Sequence, residues 1–193
     1  MDYRQEFISL YKDKIHRNGA DRLLEWLEGT DFFVAPASTK FHGACEGGLV
    51  QHSVNVYHAM RDHFFEEGDQ EESFALCALL HDLCKANFYK KGTRNVKNEA
   101  TGAWEKVLNY TIEDQFAYGH GEKSVWLIER FIKLKPAEAI AIRWHMGGFD
   151  EAARGGSFAI SQAYDQYPLA VKLHMADLYA TYLMEKGTSR VER

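Results

Sequence analysis

No stretch of the 193 residues stays apolar for the ~18 positions that a membrane-spanning helix needs, so no membrane partner is expected. Positive charge is not in excess either. The 23 Lys and Arg stand against 28 Asp and Glu, and a formal net charge of -5 gives no overall field for gathering long nucleic acid, while a small phosphorylated ligand stays open. Cysteine is scarce: Cys45, Cys77 and Cys84 form an odd set without a CxxC pair. They read as reduced thiols rather than disulfides or a zinc knuckle, and they point to a reducing compartment. The opening Met1-Asp2-Tyr3-Arg4-Gln5-Glu6 is too polar for a signal peptide, which makes the cytoplasm the expected location. Internal repeats, low-complexity tracts and linkers are absent. With 46% hydrophobic residues the chain has material for a full core, and it reads as a single domain, residues 1–40 a helical scaffold and 41–184 the part that carries chemistry.

What is present centres on Leu79-Leu80-His81-Asp82-Leu83-Cys84-Lys85. The preceding run, Ser73 to Leu80, is apolar on every side at helical period, which marks a helix buried all round. A histidine and a carboxylate therefore arrive together at the end of a buried helix. An unpaired carboxylate costs several kcal/mol or more in such surroundings, so Asp82 must meet a cation or a dense set of donors.

Polar residues recur on inward faces elsewhere. Across a helix beginning near Leu49, His52 falls with Val56, Ala59 and Met60 at spacings of three and four, while His58 points away to the surface. Gly119-His120-Gly121 places His120 at a helix start, with Val125, Ile128, Phe131 and Ile132 as its expected buried stripe. Pro136 opens the next helix and Gly147-Gly148 closes it, so His145 is expected in the last turn, at a mouth rather than in the core. A glycine-containing loop to Ser157 follows. From Pro168, the residues Leu169, Leu173, Ala176, Asp177, Ala180 and Met184 share one face, and Asp177 is a carboxylate in an apolar stripe. Between these helices Tyr89 to Val96 and Trp104 to Ile112 alternate loosely around Thr101-Gly102, the pattern of a small hairpin or flap.

His52, His81, Asp82 and Asp177 thus converge from three helices, which is improbable by accident. Imidazole nitrogens and carboxylate oxygens suit a divalent transition metal, Fe, Mn, Co, Ni or Zn, with positions left open for water. His120 and His145 would complete a second ion bridged by Asp82, the two ions ~3.5 to 4 Å apart. One or two metal ions are the expected cofactors.

The order His52, His81-Asp82, His120, His145, Asp177 resembles the HD-domain superfamily of metal-dependent phosphohydrolases, in its dinuclear form. The phrase Phe41-His42-Gly43 through Gly47-Gly48-Leu49-Val50-Gln51-His52 is also similar to the HD part of bacterial exoribonucleases of the YhaM type, whose separate nucleic-acid-binding domain has no counterpart here. The resemblance implies an all-α helical bundle with the hairpin as an insertion. It implies hydrolysis of a small phosphorylated substrate, a nucleotide or short oligonucleotide, by metal-activated water, with Asp82 and Lys85 in catalytic roles. The di-iron oxygenases of the same superfamily have similar ligands, and ligand order does not separate the two chemistries. Cys84 stands where the family usually has glycine, and Lys85 matches the family's lysine. His42 reads either as a loop histidine or as a substrate-phosphate contact beside Lys85. Lys91 and Arg94 read as solvated flap charges, His174 as a packed core histidine, and His16 and His63 carry no assignment.

Overall fold

The computed structural model describes residues 2–40 and 43–185; His42, expected at the substrate, lies outside the described residues. Helices dominate: α1 Tyr3–Lys14, α2 Ala20–Glu28, α3 Gly48–Phe64, α4 Glu71–Leu80, α5 His120–Glu129, α6 Pro136–Trp144, α7 Glu151–Arg154, α8 Ala159–Gln166 and α9 Pro168–Tyr179. The strands are β1 Tyr89–Lys97 and β2 Trp104–Ile112, paired antiparallel from Tyr89 opposite Ile112 to Lys97 opposite Trp104. The all-α expectation with a hairpin insertion holds.

Every residue of α4 from Ser73 to Leu80 is buried, as its unbroken apolar run requires, and α1, α3, α6 and α9 pack against it. The helix therefore runs through the middle of the bundle and ends at His81 and Asp82, which lead into a short 3-10 turn, Leu83–Lys85. Helix α3 joins α4 and α9, so the two histidine-bearing helices are direct neighbours. A side chain at Gly121 would place its Cβ 2.2 Å from the carbonyl oxygen of Arg143, so only glycine lets α5 lie this close to α6. That contact brings the start of α5 to the end of α6. An ionic tie closes the opposite side: Arg17, between α1 and α2, donates to both oxygens of fully buried Glu138 at 2.6 Å and to Glu72 at 3.0 Å. Ser73 adds a hydroxyl to Glu138 at 2.6 Å.

Several expectations change. Of the stripe expected on α5 and just after it, Ile128 and Ile132 are fully buried and Val125 and Phe131 half-buried against the core, and the buried side also takes in Gly121, Lys123, Ser124 and Leu127. Lys123 is acceptable there because its ammonium reaches Asp114 at 2.6 Å. The stretch expected as a loop before Ser157 holds α7, capped by Asp150 accepting from the N–H groups of Ala152 and Ala153, and α8 follows it. His58 is not a free surface residue but meets Glu6 at 2.7 Å. Met184 is exposed, because the chain after α9 makes a π-helical turn, Ala180–Met184, whose extra residue carries it off the buried face.

Candidate metal centre

The bundle brings six sequence-expected ligands together: His52 from α3, His81 and Asp82 from the end of α4, His120 from the start of α5, His145 from the end of α6 and Asp177 from α9. His52, His81, Asp82 and His145 are almost wholly buried. The burial of His145 corrects the expectation of a mouth: its ring packs against those of His81 at 4.8 Å and His120 at 5.1 Å between centroids, and His174 donates from Nδ1 to its carbonyl oxygen at 2.6 Å. His174 is accordingly a support behind the site, with Tyr164 beside its ring.

Three of the histidines are oriented through Nδ1. His81 donates from Nδ1 to the Ala78 carbonyl at 2.8 Å, His145 to the Ile142 carbonyl at 2.6 Å and His52 to Glu185 Oε1 at 3.0 Å. Each of these contacts points the Nδ1 proton outward and turns Nε2 inward, the orientation metal-binding imidazoles take. The Nε2 atoms of His52 and His81 lie 3.3 Å apart, a spacing that calls for a proton or a cation between them. His145 Nε2 is buried without a hydrogen-bond partner, 3.4 Å from Asp82 Oδ1. A buried polar nitrogen left unmatched among inward-facing donors is what a cation site requires.

Asp82 divides the cluster. Its Oδ2 faces His81 at 3.5 Å, His52 at 3.8 Å and the Lys85 ammonium at 2.6 Å; its Oδ1 faces His120 Nε2 at 2.8 Å and His145 Nε2 at 3.4 Å. Asp177 Oδ1 lies 3.2 Å from His52 Nε2. Among the described residues these groups form three overlapping sets with ligand atoms within 4.8 Å of one another: His52, His81 and Asp177; His81, Asp82 and His145; Asp82, Cys84 and His120.

Charge follows the same geometry. Burial alone would raise the Asp82 carboxyl, but Lys85, His81 and His120 outweigh it and hold it well below the usual carboxylate range. Asp177 is held low in the same way, against burial, by His52. At His52 burial favours the neutral ring, yet Glu185 and Asp177 outweigh it and raise its pKa to about 10. Burial lowers His81 and His120, and it pushes the Cys84 thiol up to about 12. Against burial, Asp82 raises Lys85 and keeps it charged. Two ionised carboxylates, one lysine and four imidazoles thus share one buried place, a donor set matched to hard and borderline divalent ions.

Sequence reasoning missed two partners. Glu185 is buried and accepts from His52 Nδ1 and from Asn55 Nδ2, each at 3.0 Å. No periodic signal pointed to it, since a regular helix from Asp177 would not aim it there. Cys84 lies with its sulfur 3.4 Å from His120 Nδ1 and 3.7 Å from Nε2. Of the flap charges, Lys91 pairs with Glu46 at 3.0 Å and Arg94 is exposed.

A mixed histidine and carboxylate centre, buried where the helices of an α-bundle meet, is a donor set that could hold divalent metal. The family model for the HD domain matches residues 49–182, and the chain belongs to that family, whose members are in general metal-dependent hydrolases. No curated protein and no solved structure matches the chain, and the narrower likeness to YhaM-type exoribonucleases is not confirmed.

Proposed function

We propose that the protein is a phosphohydrolase that cleaves a phosphate ester of nucleotides or short oligonucleotides. The observation that carries this reading is the two-sidedness of Asp82: each of its oxygens faces a separate pair of imidazoles, the placement of a carboxylate shared by two ions. Divalent transition-metal ions held there supply a water of lowered pKa and positive charge against the phosphoryl oxygens. His52, His81, Asp82 and Asp177 would hold one ion, and Asp82, His120 and His145 the other.

The chain's own groups do the positioning. The backbone carbonyls of Ala78 and Ile142 fix the His81 and His145 rings, so the donors need no rearrangement as charge develops. Lys85 keeps its ammonium beside Asp82 and, once that carboxylate is shared with metal, is placed to neutralise charge on a phosphoryl oxygen. The nucleotide class is supported by the hairpin. Directly opposed residues share a face, and Lys97 opposite Trp104, Asn95 opposite Lys106 and Thr93 opposite Leu108 put basic and apolar groups on one exposed side. At its root that face meets the loop beside the site, where the Tyr89 hydroxyl donates to the Ala37 carbonyl at 3.3 Å. Aromatic and cationic groups on one ribbon suit stacked bases and their phosphates.

The test is turnover by metal-stripped protein refilled with Mn, Co or Ni and assayed anaerobically against phosphomonoesters, phosphodiesters and nucleotides. Cleavage of a nucleotide ester is expected, and Lys85→Ala should slow it about a hundredfold or more with metal still bound. Turnover that needs oxygen and iron, with no phosphatase or phosphodiesterase activity under any metal, would assign the site to the oxygenases of the superfamily instead.

A further inference from the structure

We propose that Cys84 is a thiolate ligand of the ion on the His120 side of Asp82, which makes the two metal positions chemically unequal. The inference rests on the metal-centre reading above and adds a donor to it.

Three observations converge on that sulfur. It belongs to a buried side chain, 3% exposed, on the 3-10 turn that directly follows Asp82. The turn is pinned because the Cys84 N–H donates to Ser124 Oγ on α5 at 3.0 Å, which fixes the sulfur relative to the helix that carries His120. The spacing fits coordination: zinc-like bonds of about 2.3 Å to sulfur and 2.0 to 2.1 Å to nitrogen, at a tetrahedral angle, separate the two ligand atoms by about 3.5 Å. The sulfur lies 3.4 and 3.7 Å from the two nitrogens of His120, whose Nε2 is 2.8 Å from Asp82 Oδ1. Independently, His145 Nε2, buried and without a hydrogen-bond partner, lies 3.4 Å from the same carboxylate oxygen and offers a fourth donor.

The alternative is a thiol that merely packs, as most buried cysteines do. Cys77 fits that description: it is fully buried in α4, with its sulfur against the Glu138 carbonyl at 4.0 Å, away from the imidazoles. Cys84 differs in pointing at a ring nitrogen and a carboxylate at once. On binding, the thiol proton passes to solvent as the metal–sulfur bond forms, and no electrons change hands. A sulfur donor favours zinc, cobalt or iron over manganese or magnesium, whereas the His52, His81 and Asp177 side offers only nitrogen and oxygen.

Cobalt alone is the probe. Metal-stripped full-length protein is titrated with Co(II), total bound cobalt is measured, and the near-ultraviolet thiolate-to-cobalt charge-transfer band is followed. The band is expected in the wild-type chain and in Cys45→Ala/Cys77→Ala, and it should vanish in Cys84→Ser and Cys84→Gly while the remaining cobalt keeps its visible ligand-field spectrum. The double variant carries the argument even if a Cys84 substitution fails to fold, since Cys84 is then the one thiol left in the sequence. Two cobalt ions bound with no charge-transfer band, or a band that survives in folded Cys84→Ser, would overturn the inference and leave the metal centre standing. A chain that binds no cobalt at all would overturn both.

Discussion

Replacing Lys85 by methionine separates what the lysine does for folding from what it does for chemistry. Its ammonium lies 2.6 Å from Asp82 Oδ2, and their side chains are 11% and 3% exposed, so the pair is buried and water does little to screen it. Removing one member of a buried pair costs about 3–5 kcal/mol, because the other charge is left uncompensated. Asp82 would keep its contact with His120 at 2.8 Å, and methionine refills most of the aliphatic stem, so the lower end, about 3 kcal/mol, applies to the metal-free protein. In a chain of this length that corresponds to a melting temperature lower by about 6–12 °C. With metal bound, the ions take over neutralisation of Asp82 and most of the deficit should disappear. Metal should therefore stabilise Lys85→Met more than it stabilises the wild type, since stabilisation grows as the logarithm of ligand concentration over Kd and the uncompensated Asp82 binds the ions more tightly. Scanning calorimetry of both proteins, in chelator and in excess Mn or Co, measures all four states. An equal loss with and without metal, or no loss in chelator, would refute the claim that Lys85 is the counter-ion of Asp82.

Asp82→Ala should lose both ions in metal analysis, because its carboxylate faces both imidazole pairs, whereas His174→Gln should keep near-normal metal content and lose only stability; full metal content in the first, or metal loss in a folded second, would undo the ligand assignment. Arg17→Ala strands the fully buried Glu138 carboxylate and should cost about 3–5 kcal/mol in urea unfolding. Burial opposes but Arg17 and Ser73 outweigh it, so the folded pKa of Glu138 is lowered; its stabilisation is present above the unfolded value near ~4.3 and is lost as pH falls below it. The gap between wild type and variant should accordingly narrow in acid, and a gap that widens there would contradict the assignment.

The features legible in sequence were those set by local periodicity or by residues with one conformational preference. Helix α4 was readable because Phe74 to Leu80 leave no polar side, and Pro136 and Pro168 mark helix starts that the structure keeps. Asp177 stood out for a simple reason: a carboxylate in an apolar stripe needs a partner. What stayed hidden depends on tertiary placement. The burial of His145 comes with the His81 and His120 rings packed against its own, which no spacing within α6 encodes. Helix α8 is eight residues long and buries only Ala163, so its amphipathic pattern is too short to stand apart from the loop before it. Arg17 and Glu138 are 121 positions apart, and nothing near either announces the other. Cys84 was visible as a departure from the family pattern, but its nearness to His120 depends on how α5 docks on α6.

The π-helical turn at Ala180–Met184 makes the site sensitive to chain length as well as to residue identity. The Glu185 N–H reaches back five residues to the Ala180 carbonyl at 3.0 Å, one residue more than an α-helix allows. Were the segment to relax to α-helix, every position beyond it would turn by about 100° and the Glu185 carboxylate would leave His52. A chain with one residue fewer between Ala180 and Glu185 would reach the same point on an unbroken α-helix. Insertions and deletions in this short stretch are therefore not neutral changes of a tail: each adds or removes a phase step that decides whether His52 keeps the acceptor for its Nδ1 proton.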